Sequence, residues 1–223
     1  LNLIFNHWIA RGAPLIALKV ASTLDGKLTL PAGQGRAITG SSAQAYVHRL
    51  RRLFPAIAVS ADTALADNPR LTARDDGETC PVRFVLDRHF KTAGRTGLNL
   101  FQDAHRTRTI VVGLGAAAKK SDLAWYEAEG VQVWSLVGDE ASFLQVWAER
   151  CAQEKITGVL VEAGPRLAAS MLATGAADYL YAFVAPRSGD PAAPGWQDGV
   201  TLPAGLLRAS LVGSDALYQG RLR

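Results

Sequence analysis

Lys19 interrupts an otherwise apolar run, Leu15-Ile16-Ala17-Leu18-Lys19-Val20-Ala21, which has the pattern of a strand buried on both faces. An ammonium in such a place needs a partner or a shifted pKa, so Lys19 either reaches out at the strand end or serves a site. The run continues through Ser22-Thr23-Leu24 and breaks at Asp25-Gly26, a dipeptide that favours a tight turn because Asp hydrogen-bonds locally and Gly tolerates positive φ. A second apolar run, Gly158-Val159-Leu160-Val161, ends on Glu162 and passes through Ala163-Gly164 to Pro165, a residue favoured in the first turn of a helix. A strand that turns through glycine into a helix presents unpaired backbone N–H groups and the positive end of the helix dipole, which suits a phosphate or pyrophosphate. On that reading Gly164, Pro165, Arg166, Leu167, Ala168, Ala169 and Ser170 hold a cofactor phosphate and Glu162 faces the substrate. The plainer alternatives are a surface-reaching lysine, a β-turn and an ordinary strand-to-helix connection.

A third candidate fails on its context. Gly113-Leu114-Gly115-Ala116-Ala117-Ala118 follows an apolar run and mimics the G-x-G-x-x-A dinucleotide fingerprint. That fingerprint calls for the first βαβ unit and for an acid about 20 residues onward at the tip of the next strand; here the next run ends near Ser135-Leu136 without one. The histidines, His7, His48, His89 and His105, are scattered and lie near no cysteine pair, so no metal is called for and the H-x-E with P-C-x-x-C signature of nucleoside deaminases is missing. Cys80 and Cys151 are isolated, which favours a reducing, cytoplasmic setting. There is no run of about 18 apolar residues to span a membrane and no visible signal peptide. Over 223 residues the formal net charge is +4, with no Lys/Arg block, a balance that suits phosphate-bearing small molecules and not nucleic acid. The densest basic patch, His48-Arg49-Leu50-Arg51-Arg52, falls in a helical pattern, with Arg49 and Arg52 on a solvated face. The chain opens on Leu1 and its one methionine is Met171, so a trimmed product lacking an upstream segment is expected.

The elements that must carry these residues alternate between strand and helix. Leu1 to Ala13, with Phe5 and Trp8, forms an entry segment or short helix. Thr39-Gly40-Ser41-Ser42 supplies N-cap residues for a helix whose apolar side is Ala45, Val47, Leu50 and Leu53, ending before Pro55. Strands are expected at 56–60, 82–86, 109–112, 131–134, 158–162 and 179–184. Helices are expected at 123–129, 142–154 (with Leu144, Val146 and Trp147 inward) and from Pro165 to about Ala173. A terminal hairpin turns around Gly213-Ser214-Asp215, and residues 62–74 form an ordered loop with a short turn of helix. Alternation of this kind favours an α/β sheet with crossovers, and no shift in composition divides residues 1–223 into more than one domain.

The stretch Lys19-Val20-Ala21-Ser22-Thr23-Leu24-Asp25-Gly26 resembles the K-x-A-x-S-L-D-G opening of the riboflavin-biosynthesis pyrimidine reductases, the RibD C-terminal domain. Further matches come in the family's order: Ile38-Thr39, Leu50-Arg51, Thr63 through Asp67-Asn68-Pro69-Arg70-Leu71-Thr72-Ala73-Arg74, Val82-Arg83-Phe84-Val85-Leu86-Asp87, Val161-Glu162-Ala163-Gly164-Pro165 and Ala185-Pro186. The resemblance implies a dihydrofolate-reductase-like α/β fold, with a mixed, largely parallel central sheet flanked by helices. It also implies an NADPH-dependent reductase, commonly a homodimer, in which hydride passes from the nicotinamide to C1′ of the ribosylamino group of 5-amino-6-(5-phosphoribosylamino)uracil. In that family the reductase is often fused behind a deaminase, and only the reductase half is present here. The resemblance gives Ala21 to the nicotinamide pocket through its backbone, Thr63 and Asp67 to the cofactor, and Arg51, Leu71, Arg74 and Glu162 to the substrate. Lys19 would lie near the reacting sugar carbon, and Asp25 would fix the loop that closes over the nicotinamide. Two arginines suit a phosphorylated substrate, because the guanidinium fork pairs bidentately with that group. Arg88 and Arg83 are candidates for the 2′-phosphate of the cofactor.

Departures from the family pattern bear on substrate choice. Where relatives have G-x-S-x-W-I-T, this chain has Gly33-Gln34-Gly35-Arg36-Ala37-Ile38-Thr39. The substrate-contacting Ser is thus Gly35, and the Trp that stacks on the cofactor is Ala37. Asp67-Asn68-Pro69 replaces D-D-P, and Pro186-Arg187-Ser188-Gly189 is shorter than P-K-x-x-G. Losing a hydroxyl and an indole can change specificity strongly. Two rivals therefore stand beside the pyrimidine reductase: a reductase of the same fold acting on a dihydropterin, and a non-catalytic nucleotide-binding protein.

Overall fold

The computed structural model describes residues 2–35, 37–73, 80–193, 195–196, 202 and 207–223. In chain order its elements are α1 (Leu3–Arg11), β1 (Leu15–Thr23), α2 (Ser41–Leu53), β2 (Ala56–Ser60), α3 (Ala61–Asp67), β3 (Val82–Leu86), α4 (Asn99–Gln102), β4 (Thr109–Leu114), α5 (Lys120–Ala128), β5 (Gln132–Leu136), α6 (Phe143–Gln153), β6 (Gly158–Glu162), α7 (Pro165–Ala173), β7 (Tyr179–Ala185), β8 (Leu207–Val212) and β9 (Asp215–Arg221). This is the mixed α/β, largely parallel architecture flanked by helices that the sequence implies. Contacts gather it into two compact units, one of residues up to Pro14 with Arg51–Val159, the other of Leu15–Leu50 with Leu160–Arg223.

The first unit is built on strands in the order β5-β4-β3-β2, all parallel. Parallel strands joined by helices are covered on both faces, and β4 accordingly has every residue buried. Phe84 of β3 packs against Trp134 of β5 and edge-on against Trp147 of α6, with ring centroids 5.1 and 5.6 Å away. Phe143, Trp147 and Cys151 recur every fourth residue of α6 and, with Leu144, are its buried stripe. The expected inward residue Val146 is only half-buried. Gly113 lies within β4 with the Phe90 ring against it, where a Cβ would collide with the ring carbons. The strand then enters a short 3₁₀ turn, Gly115–Ala117, with α5 starting only at Lys120. The fingerprint-like glycines therefore serve packing and a turn, and they open no helix toward a phosphate.

In the second unit β1 pairs in parallel with β7 from Ala17↔Tyr179 to Thr23↔Ala185. β7 and β9, and β9 and β8, run antiparallel, giving the order β6-β1-β7-β9-β8. The two-residue turn Gly213-Ser214 closes the terminal hairpin with Gly213 at φ +63°, a left-handed conformation that such turns require. Asp215 accepts the Gly40 N–H at 2.8 Å, which ties the hairpin to the start of α2. The buried stripe of α2 is Ala43, Val47 and Leu50, an i, i+4, i+7 set. This corrects the expected face: Ala45 is exposed on the opposite side of the helix, and Leu53, in the last turn, is 67% exposed.

Candidate functional site

The second unit carries the polar residues that interrupt its strands. β6 ends beside the middle of β1, where Ala163, the first residue after β6, donates its N–H to the Lys19 carbonyl at 3.2 Å. β1 therefore runs on past the end of β6 while its other side stays paired to β7. Peptide groups alternate sides along a strand, so the N–H and C=O of Ala21 point the same way as those of Lys19, into the space beyond β6. Lys19 Nζ stands 4.0 Å from Glu162 Oε2, and the two side chains are only 17% and 13% exposed. Strand register puts Tyr181 opposite Lys19 on the other flank, and directly paired residues share a face. Burial pushes the Tyr181 phenol well up from its ordinary pKa, with Tyr179 and Tyr46 adding to the shift, so it stays a neutral hydroxyl. Tyr46 of α2 packs edge-on against Phe183, centroids 5.7 Å apart. An ammonium, a carboxylate and a neutral phenol thus share one sheet face beside the stretch of β1 that extends past β6. Such a set can orient a polar substrate and hold a proton at a developing alkoxide.

Glycine and proline shape the start of α7. Gly164 is its N-cap, in extended conformation, Pro165 is the first helical residue, and no side chain caps the end, so the first-turn N–H groups face outward. Ala168 donates to Gly164 O and is fully buried together with Met171. Ser170 lies a turn further on, with its carbonyl taken by the Thr174 hydroxyl at 2.8 Å. Of the seven residues expected at a phosphate, Gly164, Pro165, Arg166 and Leu167 thus form the helix opening, and Ala168, Ala169 and Ser170 lie within the helix.

Asp25, in the turn after β1, accepts the Thr23 hydroxyl at 2.5 Å and the Gly189 N–H at 2.9 Å. These two bonds, the hydroxyl first, hold its carboxyl below the ordinary 3.8. Gly35 and Ala37 are exposed, Gly35 at φ +79°. Next to them Gln34 Oε1 accepts from Arg187 Nη2 at 3.1 Å.

Other expected site residues belong to the first unit. Ser60 caps α3, its Oγ accepting the Thr63 N–H and bonding Thr63 Oγ1 at 3.0 Å. Asp67 ends that helix, and Asn68 follows in the left-handed region at φ 44°. Asn68 Nδ2 donates to Gly97 O at 2.8 Å, and its Oδ1 accepts the Asn99 N–H at 2.7 Å. A carboxylate could not donate to Gly97 O, which is the physical reason that Asn suits this position. Asn68→Asp should cost about 1 kcal/mol, read as a lower midpoint in urea; unchanged stability would mean the Gly97 contact is idle. Leu71 is buried at φ +55°, an uncommon conformation for leucine. Carbonyls on both sides of it are held, Thr72 O by Arg51 Nη1 at 3.2 Å and Arg70 O by Arg83 Nη1 at 3.0 Å. Arg74 lies outside the described residues.

Arg83 needs a correction. It is fully buried, and its fork binds Asp103 through both Nη atoms at 2.6 and 2.8 Å, with further bonds to Thr109 Oγ1 and the carbonyls of Arg70 and Leu100. Every nitrogen of the guanidinium is engaged within the protein, so Arg83 is structural and not a partner for a 2′-phosphate. Arg88 is different. Its guanidinium lies 5.1 Å over the Phe143 ring, and its buried Nε has no partner among the described residues. Tyr181 is the residue that sequence reasoning missed; the alternation Tyr179-Tyr181-Phe183 is the signal that puts all three on one face.

The family model for the RibD C-terminal domain matches residues 14–221. The riboflavin biosynthesis protein RibD of Actinobacillus pleuropneumoniae is 32% identical over 188 residues, covering 84% of this chain and 49% of the relative. The RibD of Synechocystis is 32% identical over 231 residues, covering the whole chain and 61% of the relative. This chain thus spans about half to three-fifths of those proteins. Among solved structures, RibD of Acinetobacter baumannii superposes with TM-score 0.77 at 26% identity, over 100% of this chain and 62% of that one. A diaminohydroxyphosphoribosylaminopyrimidine deaminase/5-amino-6-(5-phosphoribosylamino)uracil reductase of Thermotoga maritima gives 0.79 at 25% identity, over 99% and 60%. With the match running through the strand of Lys19, the turn at Gly164 and the terminal hairpin alike, the chain belongs to the RibD C-terminal domain family.

Proposed function

We propose that residues 1–223 act as an NADPH-dependent reductase that converts the ribosyl group of 5-amino-6-(5-phosphoribosylamino)uracil to ribityl in riboflavin biosynthesis, in the cytoplasm and as a homodimer. The observation that carries the reading is the Lys19–Glu162 pair beside the stretch of β1 that runs on past β6, on the segment most like the family's opening. The residues fit a nicotinamide dinucleotide: the N–H and C=O of Ala21 complement a carboxamide, and the uncapped start of α7 offers N–H groups to a phosphate. When bound, that cofactor supplies the hydride. Lys19 holds a proton at the sugar ring oxygen as the C1′–O bond opens. Glu162 keeps the ammonium oriented and accepts from substrate donors, and Tyr181 adds a neutral donor. Arg51, already steered by Thr72, and Arg74 are assigned to the substrate phosphate. Leu71 is assigned to the substrate, and Thr63 and Asp67 to the cofactor.

Arg88 is assigned to the 2′-phosphate. Arg88→Ala should raise the KM for NADPH about tenfold, roughly the 1.5 kcal/mol of one charged hydrogen bond, and leave that for NADH unchanged. Equal effects on both cofactors would remove the assignment. The reading as a whole is tested by following NADPH consumption with the aminopyrimidine phosphate and with dihydropterins. Turnover of the aminopyrimidine alone is expected. Turnover of a pterin alone would move the activity to the rival favoured by the exposed Gly35 and Ala37, and cofactor binding without turnover would indicate a non-catalytic protein.

A further inference from the structure

One lysine outside the assigned site links the segment after β7 to the turn after β1. Lys27 Nζ donates to Ala193 O at 2.7 Å, and its backbone bridges to Gly195. Its stem lies where a side chain on residue 189 would go: a Cβ on Gly189 would run into Lys27 Cβ and Cγ and into Thr23 Oγ1. Lys27 also closes its own turn, accepting the Thr23 N–H at 2.9 Å and donating its N–H to Thr23 Oγ1 at 3.0 Å. Around it the two segments are joined by Leu24 N–H to Arg187 O at 3.0 Å, Gly189 N–H to Asp25 Oδ1 at 2.9 Å and Asp190 N–H to Thr29 O at 2.9 Å. The gap under Gly189 and the lysine stem that fills it form a fitted pair some 160 residues apart in sequence.

Past the end of β6, β1 has lost a neighbour on the side toward which the Ala21 peptide points. The contacts around Lys27 restrain the strand end there. We propose that Lys27 is a positioning residue for the reductase site: by clamping Arg187–Ala193 onto the turn Thr23–Lys27, it fixes the path of β1 beyond Lys19 and Ala21. This inference rests on the reductase reading above. A compact ammonium on a slim four-carbon stem suits the task, because the stem passes under Gly189 while the head reaches a carbonyl. Small displacements of groups that must meet a reacting atom cost rate more than binding.

The test uses the whole chain and two readouts, amide hydrogen exchange without ligand and steady-state kinetics. Lys27→Met keeps the stem and removes the donor. Exchange at Leu24, Gly189 and Asp190 should quicken at least tenfold while the β1–β7 ladder keeps its protection. The kcat should fall about tenfold with the KM for NADPH within twofold of the wild type, measured well below the melting temperature. Unchanged exchange would overturn the clamp, and quickened exchange with wild-type kcat would overturn the positioning role. Should Lys27→Met not fold, Gly189→Ala, which displaces the stem and leaves the ammonium, is held to the same criteria. A wild type that reduces no substrate overturns the reductase reading, and the positioning role with it. That failure is told apart from a failed clamp because the exchange readout needs no ligand.

Discussion

Replacing Arg83 by methionine is expected to destabilise the protein by about 3–5 kcal/mol and to lower its Tm by roughly 10 °C. The side chain is fully buried and bonds five acceptor atoms, two of them the Asp103 carboxylate. Its removal leaves that carboxylate, only 18% exposed, without its counter-charge, takes a donor from the Arg70 carbonyl, and leaves the Leu100 carbonyl with the Thr109 hydroxyl alone of its two side-chain donors. Lysine should rescue little, because one ammonium cannot replace a planar fork. Replacing Asp103 as well, in Arg83→Met with Asp103→Leu, should recover part of the loss, since the isolated charge is then gone. The effect also has a pH signature. Burial alone would raise the Asp103 carboxyl, but the hydrogen bonds and charge of Arg83 outweigh it, and its pKa lies below the ordinary 3.8. A depressed native pKa contributes stability that is full above 3.8 and is lost as pH falls through the native value. The gap between wild type and Arg83→Met should therefore narrow below about pH 4. A loss under about 1 kcal/mol at neutral pH would contradict the structural role.

Lys19→Met is expected to lower kcat by about 10²–10³, the usual cost of removing one preorganised donor at a developing oxyanion, with the KM for NADPH little changed. Lys19 is a largely buried ammonium on a strand that continues past the end of β6, with Glu162 and Tyr181 on its flanks. Glu162→Gln keeps the shape and removes the charge, so it should affect kcat less and substrate KM more. A kcat for Lys19→Met within threefold of the wild type would show that the ammonium only satisfies Glu162.

Lys19 and Glu162 could be read from the sequence because each is a charge set against an apolar run, and burial makes such a charge costly wherever the strands lie. The bounds of β2, β3, β6 and α7 followed from the same contrast. α3 was harder to see: its seven residues are too few for a helical period, and it depends on the Ser60 cap. Arg83 was misread because its partner lies 20 residues on, beside a four-residue helix, α4, that the sequence did not announce. In Val82-Arg83-Phe84 nothing tells a buried fork from an exposed one. Tyr181, and the pairing of Lys27 with Gly189, depend on strand register and on contacts across some 160 residues, which no local pattern encodes. Asn68 stood out only as a departure from D-D-P. Its reason appears once Gly97 and Asn99 are seen to need one acceptor and one donor from the same side chain.

The most direct measurement is label transfer. The protein is incubated with NADPH deuterated at the transferable position of the nicotinamide ring and with 5-amino-6-(5-phosphoribosylamino)uracil, and the product is analysed by mass spectrometry and NMR. One deuterium at C1′ of a ribitylamino product is expected, lost in parallel with kcat in Lys19→Met. Product without label, or label carried only into a dihydropterin offered in the same panel, would contradict the proposed activity.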